Sequence, residues 1–413
     1  MLNKLKDTAK KTLGAKGYSQ IVSFVKKEKS GFDFSAFTKC FLELPIPGDD
    51  PDSTLSLVQG WICSSEEIED VSIVDSSKKY KKKLKKIVRE DVVAAYSGCH
   101  VFGFRDFFLP DVEDATSPWF ISYKTLGAEH KKEIPVEDPI YSKNAFINSK
   151  KAKLNTLKKI FDYQGFTYNL ETNNLIGSES GIDISFSDTT LNVLTPGQKP
   201  LDPGSQQFTS YDARSIELIN RNKNGLVLDF GSGVRRQFFD NVISLDILDS
   251  FTIDVVNYGK VLPFKSNSFD GVISLSVLEH LQNPFHWAKE IVRILKPGGE
   301  LYFTVPFLAP FHGYPDHYYN MTLNGLRRIF GDEINIIEDG VYDYGQPIWA
   351  LNWFLDSYIK GLPSELAENF KNMKVSDFLG DPMSFMDKDF VTNLKEDTKI
   401  ELSCVNFINA RKK

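Results

Sequence analysis

From residue 213 onward, short apolar runs alternate with stretches whose apolar positions recur at helical spacing. "ARSIELINR" predicts a helix, "LVLDF" a buried strand, "VISLDI" a second strand and "GVISLSV" a third. "PFHWAKEIVRIL" then predicts a helix and "ELYFTVP" a strand. Strands alternating with helices imply parallel crossovers, so the expected architecture is α/β, a doubly wound Rossmann-like sheet. The end, "IELSCVNFINARKK", is strand-like and is expected to close that sheet as an antiparallel edge. "YGQPIWALNWFLDSYIKGL" carries Trp349, Trp353, Phe354 and Tyr358 at helical spacing. It reads first as a core-facing amphipathic helix. A lid, a dimer face and a lipid-chain contact are its other uses.

The earlier chain has a different rhythm. Residues 31–145 hold short β-branched and aromatic runs such as "LSLVQGWICSS" and "WFISYKTLG", bounded by Gly, Ser and Asp. They predict a small all-β sandwich. The basic run "KKYKKKLKKIVRE" (78–90) is a solvated hairpin or loop face, or else a contact for a polyanion or acidic lipid. Residues 146–212 read as a connector containing a small β-unit and the Pro/Gly-rich "LTPGQKPLDPGSQQ". Residues 1–30 read as a lysine-rich helical tail, either a solvated arm or a helix making peripheral membrane contact. The last unit spans 213–413.

A chain of 413 residues is too long for one ordinary core. Its net charge of -6 argues against a broad nucleic-acid surface, so no nucleic-acid partner is expected. Cys40, Cys63, Cys99 and Cys404 are scattered without C-x-x-C spacing. That supports neither a zinc site nor a disulfide framework, and no metal is expected. No apolar run is long enough to span a membrane, and the N-terminus lacks a signal-peptide pattern. The first arginine is Arg89, which argues against a transit peptide. A reducing, cytoplasmic location is the expectation.

The most informative turn is "VLDFGSG" (227–233). Asp229 ends a strand at the carboxyl edge of the sheet, where such folds bind ligands. Gly231 and Gly233 let backbone approach a ligand closely and adopt positive φ. A dinucleotide fingerprint wants a third glycine where this chain has Arg236. Asp246 ends the next strand, where a carboxylate accepts hydrogen bonds from ribose hydroxyls. These positions fit a nucleoside cofactor.

"VLDFGSG", "VLPFKSNSFDGVISLSVLEHLQNP" (261–284) and "RILKPGGELYFTVP" (293–306) together resemble the class I S-adenosylmethionine-dependent methyltransferases. Within that class the similarity is to the small-molecule group with "LPF", "LEH" and "LKPGG" signatures. The resemblance implies S-adenosylmethionine as cofactor. Asp229, Gly231 and Gly233 would line its methionine and ribose side, and Asp246 would hold the ribose. Gly259, Lys260, Val261 and Leu262 would sit near adenine, and Ser274 and Ser276 would lie under the sulfonium. Gly298 and Gly299 would form a structural turn.

Two departures from the family pattern stand out. Tyr258 occupies the place of an acid that binds the adenine amino group, leaving backbone amides or ring stacking for that task. The stretch from Gly231 to Asp240 leaves room for about one helical turn, where a crossover takes a dozen or more residues. In the N-terminal region "GW" (60–61), "REDVVAAYSG" (89–98) and "GF" (103–104) resemble a small β-sandwich of bacterial surface-glycan enzymes. The matching residues are Gly60, Trp61, Arg89, Asp91, Val92, Tyr96, Gly103 and Phe104.

The acceptor is expected at "FLAPFHGYPDHYYNMTLNGLRRIF" (307–330), just past the strand "ELYFTVP". His312 is the candidate proton acceptor and Asp316 its orienting acid. These methyltransferases often carry H-x-x-P-x-D here, and this chain is one residue tighter. The alternative is an aromatic loop offering no base. Glu279, His280, His317, Tyr318 and Tyr319 are further acceptor-site candidates. Glu279 and His280 also suit a cofactor-side role, and His280 alternatively caps or packs the following helix.

The implied function is methylation of oxygen or nitrogen on a sugar, glycan or lipid precursor. The alternatives are methylation of a quinone-like or natural-product ring, and a non-catalytic interaction module on the same fold. The sequence is silent on oligomeric state.

Overall fold

A computed structural model describes residues 38–44, 57–76, 81–88, 92–93, 99–107, 119–134, 143–176, 182–202, 209–235, 237–313, 315–341, 345–406 and 411. The lysine-rich tail, Arg89, Asp91, Tyr96 and Arg236 lie outside these residues.

Seven strands come first: β1 (Thr38–Leu44), β2 (Leu57–Ser64), β3 (Ile68–Asp75), β4 (Lys81–Lys83), β5 (His100–Phe107), β6 (Trp119–Thr125) and β7 (Ala128–Ile134). They pair antiparallel into two sheets, β1-β2-β5 and β4-β3-β6-β7. Val58, Ile62, Ile73, Phe104, Trp119 and Ile121 share one core, as two facing sheets require. Gly60 pairs with Phe104 and Trp61 with Gly103, so the "GW" and "GF" dipeptides are cross-strand neighbours. The lysine run supplies edge strand β4, with Lys81 and Lys83 exposed. Charged side chains there discourage pairing with a further strand.

Next come α1 (Lys143–Ile160) and a small sheet of β8 (Asp162–Tyr163), β9 (Phe166–Asn169) and β10 (Asn174–Ile176). The chain continues through β11 (Asp183–Phe186), β12 (Leu191–Leu194), α2 (Ala213–Arg221), β13 (Val227–Phe230), β14 (Val242–Asp246) and β15 (Val255–Asn257). It then forms β16 (Phe269–Leu275), α3 (Pro284–Ile294) and β17 (Leu295–Thr304). The main sheet runs β11-β12-β15-β14-β13-β16-β17, and every pairing but β11–β12 is parallel.

Three expectations need correction. Residues 183–194 do not stand apart in a connector; β12 hydrogen-bonds to β15. The antiparallel edge is therefore β11 rather than the C-terminal segment. The described part of the C-terminal segment forms no strand: its first two residues end a helix over Glu396–Glu401, and residues 402–406 are irregular. Glu396 and Asp397 occupy the first turn of that helix, where the helix dipole favours acids. Finally, the described residues between β13 and β14 carry no helix, not even the single turn expected there; the short stretch between β14 and β15, in which "ILDSF" (247–251) leaves no room for a helix, carries none either.

The uncovered face is covered by α1, from much earlier in the chain. Its Leu154 and Leu157 share a core with Ile243, Leu245 and Val255, while Phe146 packs on Phe238 at 4.6 Å between ring centroids. Lys150 and Lys153, both buried, pair with Asp254 at 2.8 and 3.3 Å. Burial pushes the Lys153 ammonium down to about 8, against the opposing pull of Asp254. The two lysines fasten the substitute helix to the loop before β15.

The remaining helices are α4 (Leu323–Ile329), α5 (Pro347–Gly361), α6 (Ser364–Lys371), α7 (Asp389–Thr392) and α8 (Glu396–Glu401). α5 is core-facing, as expected, only in its second half. Its later residues Leu355, Tyr358 and Ile359 pack on Leu362, Phe370 and Leu394. Trp349 is 59% exposed and Trp353 39%. The aromatic spacing is helical, but no further element covers the first half of the helix among the described residues.

Candidate active site

The sheet order reverses between β13 and β16, which opens a crevice at the carboxyl ends of the strands. Gly231 and Gly233 follow β13 at φ 69 and 61, a region costly for other residues. The amides of Gly231 and Ser232 donate to the Leu245 carbonyl at 2.8 and 3.1 Å. Asp246, at the end of β14, accepts from the Gly233 and Ile247 amides, each at 2.7 Å. Burial raises the Asp246 carboxyl above its usual range, and those two amides oppose the rise. Among the described residues there is open space around Gly233: the nearest atom to a Cβ, beyond the chain neighbours, would be Thr209 Oγ1 at 4.0 Å. Over Gly231 the Val277 methyls stand 2.5 Å from where a Cβ would be. Glycine is therefore required there by a neighbouring side chain as well as by its own φ.

Asp229 is fully buried. Its carboxylate accepts from Arg235 Nε at 2.8 Å, Arg235 Nη2 at 3.0 Å and the Tyr211 hydroxyl at 2.7 Å. Burial opposes the Arg235 charge, but attraction to Asp229 more than offsets it and raises the pKa. Burial, and then the Asp229 charge, push the Tyr211 phenol well above its ordinary value. The acid thus acts as a strut beneath the turn. Sequence reading missed Arg235 and Tyr211; only Arg235, two residues beyond Gly233, carries a local signal.

The loop after β15 is held from below. The Gly259 amide donates to Asn257 Oδ1 at 2.9 Å, Lys260 to the Tyr163 hydroxyl at 3.3 Å, and Leu262 to Glu290 Oε2 at 2.9 Å. His286 Nε2 reaches the Lys260 carbonyl at 2.6 Å, and Val261 accepts from Asn257 Nδ2 at 3.2 Å. Three amides that an adenine would address are therefore already used. Tyr258 packs beside Phe146, Phe238 and Val256. On β16, buried Ser274 donates to the Phe230 carbonyl at 3.0 Å, so it ties β16 to β13. Ser276 is exposed at φ 56, an unusual conformation for serine at the end of the central strand.

The acceptor loop is pinned to the turn after β16. The Glu279 carbonyl accepts from the Tyr318 and Tyr319 amides at 2.7 and 3.2 Å. His280 Nδ1 reaches the Asp316 carbonyl at 2.6 Å, and His312 Nδ1 the Pro310 carbonyl at 2.9 Å. A carbonyl only accepts, so both rings carry Nδ1–H and, when neutral, a bare Nε2. The Asp316 carboxylate takes the Tyr318 hydroxyl at 3.0 Å. It therefore does not orient His312; the Pro310 carbonyl does. His317 Nδ1 accepts from the His312 amide at 3.1 Å, which leaves its Nε2–H for Asn320 at 3.0 Å. Burial lowers the pKa of His280 and of His317, favouring neutral rings.

The Glu279 side chain is fully buried, and neither carboxylate oxygen has a hydrogen-bond partner among the described residues. Burial pushes its carboxyl up to about 7. Nε2 of His280 is 3.7 Å from Oε1. His280 does not cap α3; Asn283 does, accepting from the His286 amide. Trp353 closes one side, 5.2 Å from His312 between ring centroids. A cavity of about 360 Å³ opens beside His312, lined by Phe311, Gly313, Asp397, Ile400 and Glu401.

Residues 228–303, from β13 into β17, match the family model described as a methyltransferase domain. The sheet and this match define a class I S-adenosylmethionine-dependent methyltransferase domain, preceded by a small all-β domain. No curated protein matches the chain. Among solved structures, it is similar to a chain of the complex between the Haloferax volcanii Trm112 methyltransferase activator and the putative methyltransferase. That likeness has 20% identity, covers 30% of this chain and 72% of that chain, and has a TM-score of 0.22. It is also similar to Haemonchus contortus phosphoethanolamine N-methyltransferase 2 in complex with S-adenosyl-L-methionine, at 12% identity, 92% and 69% coverage and a TM-score of 0.24. The same protein in complex with phosphomonomethylethanolamine and S-adenosylhomocysteine gives 13%, 94%, 70% and 0.24.

Proposed function

We propose that this chain transfers a methyl group to oxygen or nitrogen of a sugar, glycan or lipid precursor, and that the precursor carries an apolar chain. The observation that carries the reading is Trp353. It joins the exposed aromatic face of α5 to His312, so an apolar wall stands beside a proton acceptor. The N-terminal sandwich, with its resemblance to surface-glycan enzymes, supports the same class of acceptor.

The cofactor supplies a methyl group on a sulfonium sulfur, which is a good leaving group. The open cradle at Gly233 and the one lone pair left on each Asp246 oxygen suit a ribose there. Asp229 holds the turn from beneath, so cofactor contact falls to the Gly231–Gly233 backbone. With the Gly259, Lys260 and Leu262 amides engaged, these three contribute shape rather than hydrogen bonds to the adenine side. Ser276 borders the sulfonium side. What the chain adds is alignment, exclusion of water and a place for the acceptor's proton. The bare Nε2 of His312 takes that proton as the new bond to carbon forms, with Tyr318 and Tyr319 framing the acceptor.

The test is label transfer from methyl-labelled cofactor to three acceptor panels: lipid-linked glycan precursors, water-soluble sugar nucleotides and quinone-like rings. The reading expects label in the lipid-linked panel and, for His312→Asn, a loss of roughly a hundredfold in kcat. Label confined to the rings, or in no panel, overturns it.

A further inference from the structure

We propose that Glu279, His280 and His312 form a binding site for one divalent transition-metal ion. Each offers a donor atom, and the three donor atoms lie within 4.8 Å of one another. Donors about 2 Å from such an ion sit roughly 3.3 Å apart. Small side-chain rotations therefore close the set, and Glu279 and His280 are already at 3.7 Å.

Three features point to an ion rather than to chance proximity. The Glu279 carboxylate is fully buried with both oxygens unpartnered among the described residues, an expensive arrangement unless something compensates it. Both imidazoles donate Nδ1–H to backbone carbonyls, of Asp316 and Pro310. Metal-bound histidines are fixed in this way, with the second nitrogen turned to the ion. The ring nitrogens of His317, by contrast, are both occupied, so it supports the set from outside. Two imidazoles and one carboxylate select Zn²⁺-like ions over Mg²⁺ or Ca²⁺, and three protein ligands leave a position open.

The site stands on its donor set alone. A further consequence rests on the methyl-transfer reading: with an ion bound, the His312 Nε2 lone pair is committed to the metal, so His312 takes the acceptor's proton only in the metal-free protein, whereas in the metal-bound protein the ion's charge acidifies the acceptor and water takes the proton. Transfer then becomes sensitive to chelators.

The full chain, stripped by chelator and dialysed, is titrated with ZnCl₂ by calorimetry and with CoCl₂ by visible absorption. One ion per chain is expected, with a Co²⁺ ligand-field spectrum. Glu279→Gln and His312→Asn should each weaken binding by about 100-fold or more, at the upper end of the loss seen for outer-shell changes. His130→Ala, in the β-sandwich, should bind like wild type. Circular dichroism melting checks that every variant is folded. Absence of binding in the wild type, or undiminished binding in the folded Glu279→Gln and His312→Asn variants, overturns the site. Metal binding with chelator-insensitive transfer overturns only the catalytic consequence. Metal binding without cofactor binding overturns the methyl-transfer reading and leaves the site standing.

Discussion

Two fully buried acids follow from neighbouring strands, Asp229 in β13 and Glu279 just after β16, and their surroundings are opposite. Asp229 has an arginine fork and a tyrosine hydroxyl. Glu279 has no hydrogen-bond partner among the described residues. The satisfied acid stiffens the turn at Gly231–Gly233. The unsatisfied one keeps its lone pairs unused by the described residues. A buried carboxylate spent on internal partners is architecture, whereas one left unspent is capacity to bind.

The largest effect expected is at Asp229. Asp229→Ala strands the Arg235 charge inside the protein and should cost about 3–5 kcal/mol in urea denaturation. Unchanged stability would break the comparison, since the acid would then not be a strut. Asp254, a third buried acid, extends the contrast to the face under α1. There the Lys153 ammonium is held down to about 8, below its ordinary 10.5. Between those values the unfolded chain binds more protons than the folded one, so stability rises with pH across that window. The slope is at most about 1.4 kcal/mol per pH unit. Lys153→Met should flatten that rise, and the difference between the two pH profiles of unfolding free energy measures it. Glu279→Gln should have the smallest effect on folding. It removes no internal hydrogen bond, so its stability in metal-free buffer should match wild type within about 1 kcal/mol or exceed it. A loss as large as that of Asp229→Ala would mean that Glu279 is a strut as well.

The contrast also marks what the sequence made legible. α2, β13, β14, β16 and α3 were readable because continuous apolar runs and short amphipathic helices carry their burial locally. The meeting of Gly233 and Asp246 was readable because the two lie at the ends of adjacent strands. The covering role of α1 was not, because Lys150 meets Asp254 across about a hundred residues of chain. Nothing local in "TIDVV" announces that partner. The C-terminal edge strand was misplaced for a related reason: alternation in "IELSCV" says nothing about which sheet edge is free. Glu279, His280 and His312 were each visible as chemistry. Their convergence depends on the Glu279 carbonyl catching the Tyr318 and Tyr319 amides, a tertiary contact without a sequence signature.

The most direct measurement is calorimetric titration of the chain and of Asp246→Ala with S-adenosylhomocysteine. The account predicts saturable binding at one site per chain, weakened by about 1–3 kcal/mol in the variant through loss of ribose hydrogen bonds. No binding to wild type at millimolar ligand, or equal affinity in the two proteins, would contradict it.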